Sequence, residues 1–270
     1  MAVRVLLVGC GNMGYAMLSG WLSSGKLAAS ETLVVEPNED LRHRAGRLGS
    51  VVAASNAELP AGLSPEIIVI AVKPQVIREV VAGYTRFAGK ATFLSIAAGT
   101  AIATFTEILG AGTAVMRCMP NTPAAIGKGM MVVFSNPDVA ERTKAFVGDL
   151  LSASGEVATI HDEGLMDAVT AVSGSGPAYI FHFIECLTAA AEKVGLPAET
   201  AKLLAMQTVH GAASLAAESK EDPAVLRKQV TSPNGTTAAA LGILMGGDRL
   251  KNLVADAVEA ARARSVELGK

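Results

Sequence analysis

Short apolar runs alternate with helical stretches over the first part of the chain. Val3–Val8, Leu33–Glu36, Val51–Ala53, Ile67–Val72, Thr92–Ile96, Thr113–Arg117, Met130–Phe134 and Glu156–Thr159 are mostly rich in Val and Ile and bounded by Gly, Pro, Asn or Ser, the pattern of buried strands. Between them apolar positions recur at helical spacing, notably over Met13–Ser24, Glu39–Leu48 and Asp138–Ser152. This alternation predicts a mostly parallel, doubly wound sheet with helices on both faces. After about residue 160 the strand pattern stops. Asp162–Val194, Ala198–Ser219, Pro223–Val230, Thr236–Gly246 and Arg249–Leu268 read as helices, with breaks at Leu196-Pro197 and Asp222-Pro223. The expected architecture is an α/β domain over residues 1–159 followed by an all-α domain over residues 160–270.

Composition narrows the function more than the fold. Half of the 270 residues are hydrophobic, but only 18% are charged and 4% aromatic. The excess of small apolar residues suits close helix packing and buried subunit contacts. A net charge of −2, with no block of like charges, gives no attraction for nucleic acid or an anionic membrane. Cys10, Cys118 and Cys186 lie far apart without CxxC spacing, which argues against a disulfide framework or a metal site and fits a reducing cytoplasm. The N-terminal apolar run passes directly into a glycine loop that signal cleavage would destroy. No apolar stretch approaches the roughly 18 residues needed to cross a bilayer. A cytoplasmic protein is expected.

That loop reads Gly9-Cys10-Gly11-Asn12-Met13-Gly14, a full G-x-G-x-x-G between a strand and a helix. The first Gly allows the turn, the second lets backbone N–H groups approach a pyrophosphate, and the third permits close helix–strand contact. The helix N-terminus adds partial positive charge. An acid about twenty residues on completes the Rossmann pattern, and Glu36 ends the second strand. Its carboxylate can accept from the adenosine ribose hydroxyls and would repel a 2′-phosphate, which favours NADH. Asn38, Arg42 and Arg44 follow, and a nearby Arg can accommodate that phosphate, so NADPH stays equally open.

Other strand ends offer further groups. Lys73-Pro74 closes one strand, where Lys73 either reaches a ribose or pyrophosphate or is a solvated cation. Ser95-Ile96-Ala97-Ala98-Gly99 leaves room for a flat ring. In Met119-Pro120-Asn121-Thr122-Pro123, Asn121 either presents an amide to the nicotinamide or substrate or belongs to a structural turn. In the helical half, Ser173-Gly174-Ser175-Gly176-Pro177-Ala178-Tyr179 should break or kink a helix. Ser232-Pro233-Asn234-Gly235-Thr236-Thr237 precedes an Ala-rich helix, either as a receptor for a small carboxylate or as an ordinary N-cap. His182 and His210 occupy apolar helical settings, where packing is expected rather than acid–base work.

Taken in order and spacing, Gly9–Gly14, Ala71-Val72-Lys73-Pro74, Met119–Pro123 and both helical-half loops resemble the pyrroline-5-carboxylate reductase family over about residues 3–268. The resemblance implies reduction of the ring C=N of 1-pyrroline-5-carboxylate to L-proline with NADPH or NADH. It implies a helical domain that dimerises, in some members into a decamer of five dimers. It places Gly9, Gly11, Asn12, Met13, Gly14, Glu36, Asn56, Val72, Lys73, Pro74, Ala97 and Asn121 at the cofactor, and Ser175, Ser232, Gly235, Thr236 and Thr237 at the substrate. Thr237 would face the ring nitrogen and Glu163 would stabilise the iminium. Asn234 departs from the family's usual second Gly, a position where Asn tolerates a left-handed backbone. Rival readings are an imine reductase with another substrate, a β-hydroxyacid-dehydrogenase-like enzyme, and a non-catalytic NAD(P)-sensing dimer. The hydroxyacid enzymes need a Lys on the first long helix of the second domain, and none occurs between Asp162 and Glu192.

Overall fold

The computed structural model describes residues 3–269. Strands β1 Val5–Val8, β2 Thr32–Val35, β3 Val51–Ala53, β4 Ile67–Ile70, β5 Thr92–Ser95, β6 Val115–Met119, β7 Gly129–Ser135 and β8 Gly155–Thr159 form one sheet, in the order β3, β2, β1, β4, β5, β6, β7, β8. Neighbours run parallel except β6 and β7, which are antiparallel. An antiparallel pair needs only a short connection, and the 3-10 turn Thr122–Ile126 supplies it. The helices of this part are α1 Asn12–Ser23, α2 Glu39–Gly46, α3 Ile77–Ala82, α4 Ile102–Leu109 and α5 Glu141–Ser152.

Both sheet faces are buried, which is why the strands read as continuous apolar runs rather than alternating ones. Leu7, Val34, Val69 and Leu94 pack with Met17, Leu18 and Trp21 of α1 and with Val147, Leu150 and Leu151 of α5. On the other face Leu6, Leu33, Ile68 and Phe93 pack with Ile77 and Val81 of α3 and with Ile102, Phe105 and Leu109 of α4. The core thus sits above and below the sheet and leaves the strands' carboxyl ends free to carry a site.

The remaining helices are α6 Met166–Val169, α7 Gly176–Lys193, α8 Ala198–Glu218, α9 Pro223–Gln229, α10 Thr236–Met245 and α11 Arg249–Leu268. The chain forms two compact units: one runs through Ser175 and takes in the chain again from Ala261, and the other is Gly176–Ala260. By packing, the division falls after Ser175. The physical reason is that the segment after β8 joins the first unit: Met166 and Ala171 are buried, and Ser265 Oγ donates to Asp167 Oδ1 at 2.6 Å.

The predicted break at Ser173–Tyr179 is a change of helix type instead. Thr170–Gly174 forms a π-helical turn, with the Ser175 N–H donating to Thr170 O at 2.8 Å. Pro177 then occupies the second position of α7, where its missing N–H leaves no helical bond unmade. Gly174 lets the Met119 side chain lie close, since a Cβ there would sit 2.5 Å from Met119 Cε and the flexible Met would have to move.

In the second unit α7 and α8 pack on one another, yet among residues 176–260 only Ala201 and Ala205 are buried. Phe181, Phe183, Leu203, Met206, Ile243 and Leu253 are exposed. His182 and His210 are exposed as well, rather than packed within the chain.

Candidate active site

The cradle begins where β1 stops. Gly9 has φ +89°, and a Cβ there would lie 2.6 Å from Ala71 O, so only glycine fits. The first helical bond of α1 runs from the Tyr15 N–H to Gly11 O. The N–H groups of Asn12, Met13 and Gly14 therefore lack partners inside the helix, and its first turn carries no acid. A Cβ on Gly11 would meet nothing within 4 Å, whereas one on Gly14 would lie 2.6 Å from Gly9 O. The three glycines thus serve a turn, an open approach and a close packing contact. A cavity of about 490 Å³ adjoins the loop and is lined by Gly9, Val35, Pro37, Asn56 and Val72 among others. It sits at the carboxyl ends of β1, β2 and β4, where the strand order reverses, and these residues fit a dinucleotide.

Glu36 follows the end of β2. It is 6% exposed, and both oxygens accept from backbone: Oε2 from the Cys10 N–H at 2.7 Å and Oε1 from the Asn38 N–H at 3.0 Å. The carboxylate turns inward to the glycine loop because two otherwise unpaired N–H groups meet it there. From α2, Arg44 Nη2 donates to Cys10 O at 3.0 Å while its guanidinium lies 4.1 Å above the Tyr15 ring. Arg42 Nη1 donates to Glu36 O and Pro37 O, each at 2.9 Å. The Cys10 residue is thus gripped at both its N–H and its carbonyl. Burial pushes the Cys10 thiol up to about 11 and the Cys118 thiol up to about 12, so neither is a thiolate at neutral pH.

Along the sheet, Ala97 is buried just past β5, and its N–H donates to Ser95 Oγ at 3.3 Å. Lys73 is exposed, ahead of Pro74 at the start of the 3-10 turn Pro74–Val76. Asn56 Nδ2 donates to Gly83 O at 2.9 Å, which fixes the amide at the cavity wall. Asn121 is engaged by its own turn and the neighbouring elements: its Nδ2 donates to Ser173 O at 3.1 Å and its Oδ1 accepts from the Met130 N–H at 2.9 Å. Glu163 Oε1 accepts from Arg117 Nη1 at 2.7 Å and from the Ile102 N–H at 2.8 Å. Arg117 was not among the predicted site residues. Its signal was a lone cation inside the apolar strand Val115–Met119, which requires a buried acid partner.

In the second unit, Ser232, Gly235, Thr236 and Thr237 share one turn. Asn234 has φ +60°, the left-handed conformation predicted for it, and the Gly235 N–H donates to Ser232 O at 3.1 Å. Gly235 caps α10 with no side-chain hydrogen bond in the cap. The first helical bond is from the Ala239 N–H to Gly235 O, so the N–H groups of Thr236, Thr237 and Ala238 have no partner within the helix. An ordinary Ser/Thr cap would use a side-chain oxygen; this turn instead presents N–H donors, the chemistry of an anion receptor. Ser175 lies apart from this turn in sequence, at the end of the π-helical turn in the first unit. Among the described residues, no group of His, Cys, Asp and Glu could hold a metal ion, and no helix is long and apolar enough to cross a membrane.

The family profile "Pyrroline-5-carboxylate reductase dimerisation" matches residues 163–268, and "NADP oxidoreductase coenzyme F420-dependent" matches residues 4–99. The chain is 39% identical to a pyrroline-5-carboxylate reductase of Pseudomonas aeruginosa over 269 residues, 99% of this chain and 97% of the relative. It is 38% identical to the Synechocystis enzyme of that name over 276 residues, 100% of each chain. Among solved structures, a pyrroline-5-carboxylate reductase of Coxiella burnetii superposes with a TM-score of 0.92 at 32% identity, covering 100% of both chains. A Plasmodium falciparum pyrroline carboxylate reductase with NADP bound gives 0.86 at 31% identity, covering 99% of this chain and 98% of that one.

Proposed function

The chain belongs to the pyrroline-5-carboxylate reductase family, and from that premise we propose how its residues divide the work. The enzyme reduces the C=N bond of 1-pyrroline-5-carboxylate to L-proline with NAD(P)H, the step that completes proline biosynthesis. A reduced nicotinamide supplies the hydride. The protein's tasks are to hold the cofactor, orient the imine and keep water away. Gly9, Gly11 and Gly14 shape the pyrophosphate site, and the free N–H groups of Asn12, Met13 and Gly14 donate to it. Asn56 and Val72 line the adenosine side, Lys73-Pro74 close the crevice, and Ala97 leaves room for the ring.

The substrate's carboxylate goes to the turn Ser232–Thr237. The observation that carries this assignment is the set of unpartnered N–H groups at Thr236, Thr237 and Ala238. Hydride addition to an imine is easier once nitrogen is protonated. A threonine hydroxyl is too weak an acid to be the proton source. Thr237 therefore orients the ring nitrogen by hydrogen bonding and passes on a proton from water. No lysine of α7 precedes Lys193, which disfavours alcohol oxidation at this site.

The exposed apolar residues of α7, α8, α10 and α11 are the covered face of a homodimer joined through the helical half, which in some assemblies builds a decamer. The working compartment is the cytoplasm. The decisive experiment follows NADPH and NADH oxidation with 1-pyrroline-5-carboxylate in wild type and Thr237→Ala. Losing one hydrogen bond at the reacting group should cost about 1.5–3 kcal/mol in kcat, with cofactor affinity unchanged. Full activity of the variant at saturating substrate would remove Thr237 from the reaction.

A further inference from the structure

The carboxylate of Glu163 is paired, with one oxygen, Oε1, taking both of its partners. Its partner Arg117 has a side chain only 10% exposed, and the two meet at 2.7 Å. A carboxylate already paired with a guanidinium presents little net field to a cationic imine, and swinging it away would leave the Arg117 charge buried and unpaired.

The second partner says what the acid is for. Helix α4 starts at Ile102 behind Ala101, an N-cap residue with no side-chain bond of its own. Glu163 supplies the missing acceptor from a distant part of the chain, at 2.8 Å from the Ile102 N–H. Helix α4 is preceded by the segment Ala97–Ala101, which leaves β5 on the half of the sheet that takes the nicotinamide in doubly wound folds. The same segment is pressed from another side. Gly99 has φ +73°, and a Cβ on Gly269 would lie 2.5 Å from Gly99 O. This segment, which the reductase reading sets against the ring, is thus held at its end by Glu163 and packed at its middle against Gly269.

We propose that Glu163 and Arg117 are positioning residues for hydride transfer: the carboxylate oxygen pins the start of α4, and Arg117 holds that carboxylate in place. The charge of Glu163 matters less than its reach. This rests on the reductase reading, and two crossed substitutions separate reach from charge. Glu163→Gln keeps an oxygen at the same distance and loses the charge. Glu163→Asp keeps the charge and withdraws the oxygen by one methylene.

The readouts are kcat, the KM for each substrate, the pH profile of kcat/KM, a thermal melt, and NADPH affinity from nicotinamide fluorescence. Glu163→Gln should retain kcat within about threefold with an unmoved pH profile, while its melting temperature falls because Arg117 then keeps a buried charge with no counter-charge. Glu163→Asp should lose about tenfold to a hundredfold in kcat, with a raised KM for NADPH and an unchanged KM for the imine. Arg117→Lys should sit between wild type and Arg117→Met. The opposite pattern, with Asp active, Gln impaired and the pH profile shifted, would overturn the proposal in favour of a charge role. Two variants indistinguishable from wild type would overturn it as well. If wild type fails to turn over the imine, the reductase reading falls, while NADPH affinity in the same variants still judges the pair.

Discussion

The two units of the chain treat their apolar residues in opposite ways. The sheet unit buries them on both faces, and its strands β1, β2, β4 and β5 are wholly removed from water, while the edge strands β3 and β8 stay partly exposed. The helical unit leaves Phe181, Leu203, Ile243 and Leu253 exposed and buries only Ala201 and Ala205. So many exposed large apolar residues on one folded unit mark an interaction face. The difference teaches that the sheet unit has a core of its own, whereas the helical unit, under the proposed dimer, obtains one from a second copy. Cofactor binding and assembly are therefore separable properties.

The sharpest break of that comparison is a charge on the apolar helical face. Leu203→Asp should leave a monomer at micromolar concentration and lower activity by about a hundredfold or more, because an unpaired charge is expensive to bury. Sedimentation velocity with activity on the same samples checks this; an active monomer would end the view of the helical unit as incomplete. Gly9→Ala should do the reverse. A Cβ 2.6 Å from Ala71 O, at a φ that L residues avoid, should weaken NADPH binding by about a hundredfold at unchanged oligomeric state.

A smaller effect is expected at Glu36. Because its carboxylate holds the Cys10 and Asn38 N–H groups, Glu36→Ser should weaken NADH and NADPH alike, by about tenfold for roughly 1.4 kcal/mol. Measured kcat/KM values for both cofactors decide it: a change confined to one of them would mean that the carboxylate faces the ribose during turnover. The smallest effect belongs to Asn234→Gly. The backbone is already left-handed at φ +60°, so kcat/KM for the imine should stay within about a factor of two, with stability changed by only about a few tenths of a kcal/mol.

Much of the fold was legible from pattern alone. Strand β3 and helix α11 have the bounds that periodicity predicts, and all eight strands of the sheet lie where Val- and Ile-rich runs suggested them. Strand β6 is shifted two residues along because Thr113 serves the preceding turn, its Oγ1 donating to Gly110 O at 2.8 Å. The π-helical turn at Thr170–Gly174 was hidden, since glycines and a proline spell a break and no residue type marks a bond from the Ser175 N–H to Thr170 O. In the candidate site, the glycine spacing and the left-handed Asn234 could be read directly because backbone shape leaves a mark in residue type. The inward turn of Glu36 and the use of the Asn121 amide could not. Their partners are backbone N–H and C=O groups, which every residue carries and no letter announces.

The double hold on Cys10 has a thermodynamic consequence. A glycine-rich loop is the segment with the most conformational freedom to lose, and here Glu36 and Arg44 remove that freedom as the chain folds. An arriving dinucleotide meets donors already in array, so little ordering entropy opposes its binding. Affinity for the cofactor and resistance of the empty protein to unfolding then draw on the same two side chains, and neither can be tuned without moving the other.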